Sequence, residues 1–577
     1  MTRRTCLVAL AALVLVPAAA ASGSHSRLTS KRATAIFLHD DKVVDWLGRY
    51  PQKGRTTDAS YNKEFHLWTI QVWWGKAGEI ATGRVDDRTG KVTEAWTGPQ
   101  VAWTMARGGS GAFGGTVLNN TWVWLGFCAV FLLGLGNLRR PLSLRNLDLL
   151  VLLGFSVSLW YFNHGNIFTS VPIVYPLFLY LIGRLLWIAL RRGRSHSPPV
   201  WPVWVLAAAT IFLVGFRIGL NVEAPHAVID VGYSGVIGAE RIVHGQAPYG
   251  NMPVEDSLKP CGPSDLNGEI RDRIQTNGRC ESANPQGDTY GPVSYEAYIP
   301  AYGVFGWTGK WDTLPAAHAT SILFDLLCIL GLAFVGRRFG GLRLAATLPF
   351  AWAAYPFTAY VLNSNTNDSI MPCFLIWGFW LVTSPWARGA ACSLALWTKF
   401  AAAVVAPLWL SYPDWRKRRT QERFLIAFIL TTLAVFCILL LEPDPYHAAR
   451  VFWDRTVAWQ MGRASPFSIW DWRQYHAAGI PNLHVGQWIC EGLLVTGAIA
   501  AYFLPRRKSP LQLAALTGAL LLGFELCLTH WFYLYIPWFF PFTALALLAP
   551  AARVVVPAAE EEDAREHGAR EALVPTG

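Results

Sequence analysis

Residues 201–250 read WPVWVLAAATIFLVGFRIGLNVEAPHAVIDVGYSGVIGAERIVHGQAPYG. The first twenty are almost wholly apolar, and an α-helix needs about 20 such residues to cross a bilayer. The run gives way to a polar segment that carries Asp230, followed by closely spaced glycine and tyrosine residues. The stretch therefore predicts a membrane helix that brings a carboxylate to the membrane surface.

The whole chain shares this apolar character. Of its 577 residues, 53% are hydrophobic and 15% are charged, whereas soluble domains carry about 25% charged residues. The composition predicts a polytopic α-helical membrane protein. Apolar runs long enough to span a bilayer lie near residues 118–136, 147–162, 168–190, 201–220, 314–336, 343–361, 368–385, 423–441, 485–504, 509–528 and 531–550.

The net charge of +11 does not indicate a nucleic-acid partner, because the basic residues are clustered in short loops between apolar runs. Cytoplasmic loops carry this excess of Lys and Arg. The rule decides the ambiguous segment 386–412, which contains Lys399. A single crossing would put two basic loops outside and a lysine at mid-bilayer, where it costs about 2.5–3.5 kcal/mol. Two short arms that turn at Lys399 avoid both and let the lysine at the tip reach water. We therefore predict about 13 crossings, with the N-terminus outside and the C-terminus in the cytoplasm.

The N-terminus, MTRRTCLVALAALVLVPAAAASGS, has the basic start, apolar run and small residues of a secretory signal peptide over residues 1–21. An uncleaved anchor helix is the alternative. Residues 24–115 predict a small extracytoplasmic α+β domain, with a hairpin turn at DDRTG. Its segment ATGRVDDRTGKVTEAWTG resembles the PepSY family, which implies an interaction or regulatory module.

Three further domain assignments follow from the predicted spans. Residues 118–190 form three additional transmembrane helices, residues 201–550 form the membrane core, and residues 551–577 form a disordered cytoplasmic tail. The predicted external segments are residues 221–312, 363–368 and 442–482.

Two of the ten cysteines, Cys261 and Cys280, lie in an external loop. In an oxidising compartment they are expected to form a disulfide; two free thiols are the alternative. No CxxC motif or histidine cluster predicts a metal site, so we expect no cofactor, although a divalent metal requirement stays open.

Several external motifs follow Asp230 in order: GDTYGPVSYEAYIPAYG (287–303), NSNTNDS (363–369), LALWTKFAAAVVAPLWL (394–410), SPFSIWDW (465–472) and THWFYLYIPWFFP (529–541). Their order and sidedness resemble the GT-C class of polyprenyl-phosphate-sugar-dependent glycosyltransferases, in particular the mannosyltransferase-like family 87. The resemblance covers about residues 201–550. It implies transfer of a mannose-like hexose or a pentose to a cell-envelope glycan or glycolipid on the extracytoplasmic face of the plasma membrane.

Two departures from that family leave the sugar and the acceptor open. The N-terminal domain and three helices precede the core, so Asp230 is not in the first external loop of the chain. Gly291-Pro292-Val293 stands where the family has a double proline.

We predict that Asp230 is the catalytic base of an inverting single displacement, because sugar transfer to a hydroxyl needs a group that removes the hydroxyl proton. The alternative is that Asp230 caps a loop helix. Asp288 is the rival carboxylate. Tyr233, Tyr249 and Tyr290 match the substrate loop of the family.

The donor phosphate requires cationic partners. The candidates are Lys399, Arg241, Arg463 and His530, of which Lys399 is the strongest because a costly apolar hairpin carries it. Interfacial snorkelling is the alternative role for this lysine.

Two other function classes compete with the transferase. A lipid or solute transporter predicts inverted repeats and helices interrupted at the midplane. A non-enzymatic envelope scaffold that acts through the N-terminal domain predicts that Asp230 and Lys399 can be changed freely.

Overall fold

The computed structural model describes residues 26–549 except 49, 64, 75–77, 98–100, 102–112, 191–200, 226, 253–272, 275–279, 282–286, 310–313, 463–466 and 472–482. The predicted signal peptide, the predicted tail, Arg463 and Cys261 lie outside the described residues, as does the side chain of Cys280. The predicted disulfide therefore stays a prediction.

The N-terminal region forms a four-stranded antiparallel sheet in the order β1-β2-β3-β4, with two short helices against it. Its elements are α1 (Ser30–Leu38), α2 (Asp41–Leu47), β1 (Arg55–Asn62), β2 (Leu67–Trp74), β3 (Gly78–Asp86) and β4 (Val92–Thr97). The predicted DDRTG hairpin joins β3 to β4, and the Asp86 carboxylate accepts hydrogen bonds from the backbone N–H groups of Arg88 and Thr89.

The rest of the described chain is predominantly helical. Its first elements are α3 (Gly115–Leu118), α4 (Thr121–Leu135), α5 (Leu144–Asn163), α6 (Ile167–Leu190), α7 (Val203–Glu223), α8 (Asp230–Val243), the strand pair β5 (Arg273–Ile274) and β6 (Cys280–Glu281), α9 (Val293–Glu296), α10 (Ile299–Phe305), α11 (Pro315–Ala354) and α12 (Pro356–Asn363). They are followed by α13 (Ile370–Trp380), α14 (Pro385–Thr398), a 3-10 helix (Phe400–Val405), α15 (Ala406–Leu410), α16 (Arg418–Phe436), a 3-10 helix (Cys437–Leu441), α17 (Pro445–Trp453), a π-helix (Asp454–Ala458) and α18 (Trp459–Gly462). The last are a 3-10 helix (Ile469–Asp471), α19 (His484–Phe503), α20 (Pro510–Cys527), a 3-10 helix (Tyr533–Tyr535) and α21 (Ile536–Leu548).

Seven of the described helices are long and apolar enough to cross a membrane. One of them, α11, is divided at Gly341, whose φ of 69° and ψ of −162° leave the helical region. The two parts correspond to the predicted spans 314–336 and 343–361. Together with the small sheet domain, these helices confirm a polytopic helical membrane protein with an α+β domain.

The helices of residues 118–190 share one apolar core with the helices that follow. The Ser158 hydroxyl lies 2.7 Å from the Tyr533 hydroxyl. The Gln512 amide donates to the Ala189 carbonyl at 2.8 Å. These three helices are therefore integrated into the membrane core by both apolar packing and hydrogen bonds.

The chain reverses at Lys399, as the basic loops predicted. Helix α14 ends at Thr398, and Lys399 has the extended values φ −142° and ψ 128°. Near the other end of the hairpin, the Arg388 guanidinium donates to the Tyr412 carbonyl at 2.7 Å. Because residues 388 and 412 meet, the two arms return to one side and leave Lys399 at the tip.

A buried ion pair links two membrane helices. Arg217 of α7 lies 2.6 Å from Asp325 of α11, and both side chains are buried. The Trp352 indole N–H also donates to Asp325, at 2.8 Å. His318, which shares a helix face with Asp325, instead bonds Asn221 at 2.8 Å.

Replacing Arg217 with methionine is expected to destabilise the protein by about 3–5 kcal/mol, because it leaves the Asp325 carboxylate buried without its cation. The double variant Arg217→Met/Asp325→Leu should recover most of that loss. Thermal unfolding in detergent measures both, with His318→Phe as the control on the same helix. If the double variant were as unstable as the single one, the unpaired Asp325 charge would not be the cause of the lost stability.

Candidate functional site

Lys399 forms a buried ion pair with Asp368. The ammonium Nζ lies 3.3 Å from Asp368 Oδ1, and the two side chains are 7% and 0% exposed. A buried ammonium requires a compensating partner, since desolvation of an isolated charge is expensive. The hairpin tip thus delivers Lys399 to a carboxylate inside the protein, whereas the sequence predicted that this lysine would reach water.

Three aromatic rings surround the Lys399 ammonium. Nζ lies 4.2 Å from the ring centroid of Tyr290, 5.7 Å from that of Trp538 and 6.0 Å from that of Tyr535. The rings of Tyr535 and Trp538 are stacked, with centroids 4.2 Å apart. Rings within about 6 Å of a cation attract it through their quadrupoles. We call Lys399, Asp368 and these three rings the lysine cage.

The polar loop NSNTNDS fixes Asp368 in this cage. The Trp538 indole N–H donates to Asp368 Oδ1 at 3.1 Å, and the Thr366 hydroxyl donates to Oδ2 at 2.8 Å. The same hydroxyl accepts from the Asp368 backbone N–H at 3.0 Å. Both carboxylate oxygens are therefore held as acceptors, which orients Asp368 toward Lys399.

Asp230 lies at the exposed first residue of α8. The N-cap is Ile229, and the helix has no side-chain cap, so the predicted alternative of Asp230 as the capping residue is wrong. Two residues later, a side chain on Gly232 would clash with the Asn365 carbonyl. Since Asn365 is in the Asp368 loop, the start of α8 packs directly on that loop.

Tyr298 packs against α8 and is near enough to Asp368 to feel its charge. Its ring packs against Gly235 of α8. Burial, together with the negative charge of Asp368, raises the pKa of the Tyr298 phenol. A neutral phenol therefore packs against the helix that carries Asp230.

Asp288, the rival carboxylate, is fully buried. Its Oδ2 accepts a hydrogen bond from the Gly250 backbone N–H at 2.8 Å and lies 3.2 Å from Arg455 Nε. Arg455 belongs to the π-helix, an element that is frequent at functional sites. These contacts join two loops to the π-helix, which suits Asp288 for holding the substrate loop better than for proton transfer.

The loop that contains Tyr290 packs closely on the backbone next to Lys399. The Ser294 hydroxyl donates to the Thr398 carbonyl at 2.8 Å, next to the hairpin tip. A side chain on Gly291 would clash with the Trp397 carbonyl. Glycine at position 291 therefore allows this loop to lie directly on the end of α14.

The other two loop tyrosines have different positions. The Tyr249 hydroxyl donates to the Tyr290 carbonyl at 3.0 Å, so Tyr249 stabilises the backbone of a cage residue. Tyr233 is half-buried, and its ring lies 6.1 Å from that of Trp307. Of the three predicted tyrosines, Tyr290 alone has a ring contact with Lys399 among the contacts of the described residues.

Two other predicted phosphate-binding side chains, Arg241 and His530, have different positions relative to the cage. Arg241 pairs with Glu240 at 3.2 Å and donates to the Asn251 carbonyl at 2.8 Å, which braces the loop that contains Tyr249. The His530 ring lies 6.4 Å from that of Tyr535, directly behind one wall of the cage. The structure thus brings Lys399, Tyr290 and His530 together, and places Arg241 on α8, where it braces a neighbouring loop.

Sequence reasoning did not single out Asp368, Tyr535, Trp538 or Arg455 as site residues. It also missed Glu296 of α9, where burial raises the pKa to about 7. A carboxyl group with such a pKa can exchange protons near neutral pH. An ionisable residue in a short polar loop between two apolar helices is a signal that could have identified Asp368.

Glu296→Gln is expected to raise the thermal stability at pH 8 by about 1–3 kcal/mol and to leave it unchanged below pH 4.5. The pKa of Glu296 is raised in the folded protein from 4.5 to about 7. The folded state therefore binds its proton more tightly, and stability is lost as the pH rises from 4.5 through 7. Unfolding in detergent at pH 4 and pH 8 measures the effect, with Glu240→Gln as the paired-acid control. A stability difference between this variant and the wild type that does not change with pH would contradict the prediction.

Within the described ranges, no three His, Cys, Asp or Glu side chains are grouped as a metal site requires. The arrangement instead offers a caged ammonium for an anion, flat aromatic faces and an exposed carboxylate.

No family model and no curated protein matches the sequence. Among solved structures, the crystal structure of ArnT from Cupriavidus metallidurans bound to undecaprenyl phosphate is similar to the chain, with a TM-score of 0.34 and 15% sequence identity. The similarity covers 69% of this chain and 63% of the ArnT chain. At this level of similarity, the function has to be argued from the site itself.

Proposed function

We propose that the chain is an integral-membrane glycosyltransferase of the GT-C class that moves a sugar from a polyprenyl-phosphate donor to a cell-envelope glycan or glycolipid. The observation that carries the proposal is the lysine cage at the tip of an apolar hairpin, next to the helix that begins with Asp230. A buried cation at the end of apolar helices suits a ligand with an anionic head and a long hydrocarbon tail. A polyprenyl phosphate has this chemistry.

Lys399 is the proposed contact for the donor phosphate. The ammonium has three donors, and Asp368 lies within ion-pair distance of it. Negative charge grows on the phosphate as its bond to the sugar breaks. A fixed ammonium in a site with little water stabilises that charge more than it would in solution. Asp368 holds the ammonium in place and balances its charge when the donor is absent.

The aromatic walls are proposed to bind the sugar. The face of a pyranose or furanose ring presents C–H groups that pack on aromatic rings. Tyr290 lies nearest to Lys399, and the stacked Tyr535 and Trp538 form a second aromatic surface of the cage. A sugar attached to a phosphate at Lys399 would therefore lie against these rings.

Asp230 is the proposed base. Its exposure at the start of α8 leaves it accessible to an acceptor hydroxyl from outside the membrane. The acceptor oxygen attacks the anomeric carbon and its proton passes to Asp230, while the bond from that carbon to the phosphate oxygen breaks. The products are the glycosylated acceptor with inverted configuration and the free polyprenyl phosphate. Proton transfer of this kind contributes about 10²–10⁴-fold to a rate.

The finer assignments belong to the same proposal. The N-terminal domain and the lysine cage face the extracytoplasmic side of the plasma membrane, and the C-terminus is cytoplasmic. Residues 1–21 are the signal peptide, residues 24–115 a PepSY-like domain, and residues 201–550 the catalytic core. The donor sugar is a mannose-like hexose or a pentose. The apolar hairpin and the basic loops support this orientation.

Purified protein in lipid nanodiscs, given radiolabelled polyprenyl-phosphate sugars and an envelope lipid extract, tests the proposal. Transfer of label to the extract from a polyprenyl-phosphate hexose or pentose is expected. Nucleotide sugars serve as the control and should give none. A folded protein that transfers no sugar from any lipid donor would overturn the proposal and favour a transporter or scaffold.

A further inference from the structure

One strand of the N-terminal domain is buried on both faces. Alternate residues of a strand point to opposite faces. In β4, Ala95 packs into the core of the domain itself, whereas Trp96 packs into the core of the membrane domain. Trp96 is only 1% exposed. The membrane domain therefore covers Trp96 on the face of the sheet opposite the two small helices.

A lysine fixes this contact between the domains. Lys42 Nζ donates to the Ala95 carbonyl at 2.7 Å, to the Gly165 carbonyl at 2.8 Å and to Asn166 Oδ1 at 2.9 Å. The first acceptor lies in β4, and the other two lie in the loop between α5 and α6. All three donors of the ammonium are thereby used. These bonds fix the position of the sheet against the membrane domain.

Aromatic contacts continue from Trp96 to the lysine cage. The Trp96 ring lies 5.7 Å from that of Phe162, and the Phe162 ring lies 5.8 Å from that of Phe467. The Phe467 ring then lies 5.2 Å from that of His530. His530 lies behind Tyr535, a wall of the cage. The rings of Trp96, Phe162 and Phe467 are at most 3% exposed, so each occupies a closely packed place.

We propose that Trp96 is a positioning residue for the lysine cage: the docked N-terminal domain sets the place of His530 and Tyr535 through Phe162 and Phe467. The inference deepens the proposed function and rests on it for its kinetic part. Close-packed interiors transmit displacements, and a shift of about 1 Å at a site can cost up to about 100-fold in rate. The domain is thus part of the transferase site rather than a separate module.

Hydrogen–deuterium exchange of the protein in nanodiscs tests the inference without any activity. Trp96→Ala is expected to increase exchange in residues 529–535, whereas Trp96→Phe keeps it close to that of the wild type. Ile80→Ala is the matched control, because Ile80 is buried in the domain's own core. It should raise exchange within β3 and leave residues 529–535 unchanged. If Trp96→Ala does not fold, Lys42→Met, which removes three hydrogen bonds without a cavity, replaces it.

Kinetics provide the second readout. Trp96→Ala is expected to lower kcat/KM for the lipid donor by up to about 100-fold, with near-complete recovery in Trp96→Phe. Unchanged exchange in residues 529–535 overturns the inference. Increased exchange with unchanged kinetics also overturns it, since the contact would then be structural only. A wild type without transfer activity defeats the proposed function, and the exchange result alone then decides whether the domain positions the cage.

Discussion

Replacing Lys399 with methionine is expected to lower sugar transfer by about 10²–10³-fold. This is the usual loss when one preorganised donor to a developing negative charge is removed. Lys399 lies at the tip of the hairpin under three aromatic rings, and we propose that its ammonium contacts the donor phosphate. Transfer of radiolabelled sugar in nanodiscs measures the loss, and binding of polyprenyl phosphate should weaken in parallel.

Two further variants separate chemistry from stability. Lys399→Met leaves the buried Asp368 carboxylate unpaired, which is itself destabilising. The double variant Lys399→Met/Asp368→Asn removes that charge, and we expect it to recover stability without recovering transfer. Lys508→Met is the matched control: Lys508 is another buried lysine, beside Pro413 at the opposite end of the hairpin. Transfer restored by the double variant would show that Lys399 acts only by neutralising Asp368.

Asp230→Asn is expected to lower the transfer rate by about 10²–10⁴-fold, the range for loss of a general base. Donor binding should stay within about twofold of the wild type, because the amide keeps the shape of the carboxylate and the lysine cage is unchanged. Single-turnover transfer and donor binding, both measured in nanodiscs, test the two statements. Equal transfer by the variant and the wild type would move the base elsewhere, to Asp288 or Glu296.

The control for this variant is Asp41→Asn. Asp41, like Asp230, is an exposed aspartate at the first residue of a helix. Each substitution removes a favourable charge from a helix N-terminus, which contributes about 0.3–1 kcal/mol. The two variants should therefore lose similar small amounts of stability, while only Asp230→Asn loses transfer. Asp288→Asn should instead reduce both stability and donor binding, because Asp288 joins Gly250 to Arg455.

The membrane helices and the reversal at Lys399 could be predicted because hydrophobicity and loop charge are local properties of the sequence. The partners of Lys399 could not, since Asp368, Tyr290 and Trp538 come from separate segments that only the packed fold brings together. For the same reason, the pairing of Asp325 with Arg217, and not with His318, depends on how α7 packs against α11. Arg455 was missed because the sequence around it resembles an ordinary loop.

The predicted capping role for Asp230 is wrong by one position in the sequence. Sequence patterns place a helix start only to within a few residues, whereas capping requires one position. Asp230 is the first helical residue, and Ile229 is the N-cap. As the first residue of the helix, Asp230 can still stabilise it through its charge.

The burial of Trp96 has a consequence for biogenesis. The N-terminal domain emerges first during synthesis, and domains generally fold as units in that order. The rings of Phe467 and Phe532, which meet Phe162 under Trp96, belong to segments near the end of the chain. The face that carries Trp96 must therefore stay uncovered until the last helices are inserted. The N-terminal domain can then dock only after these helices are inserted. A chain truncated before residue 467 is expected to leave this face exposed to chaperones and proteases.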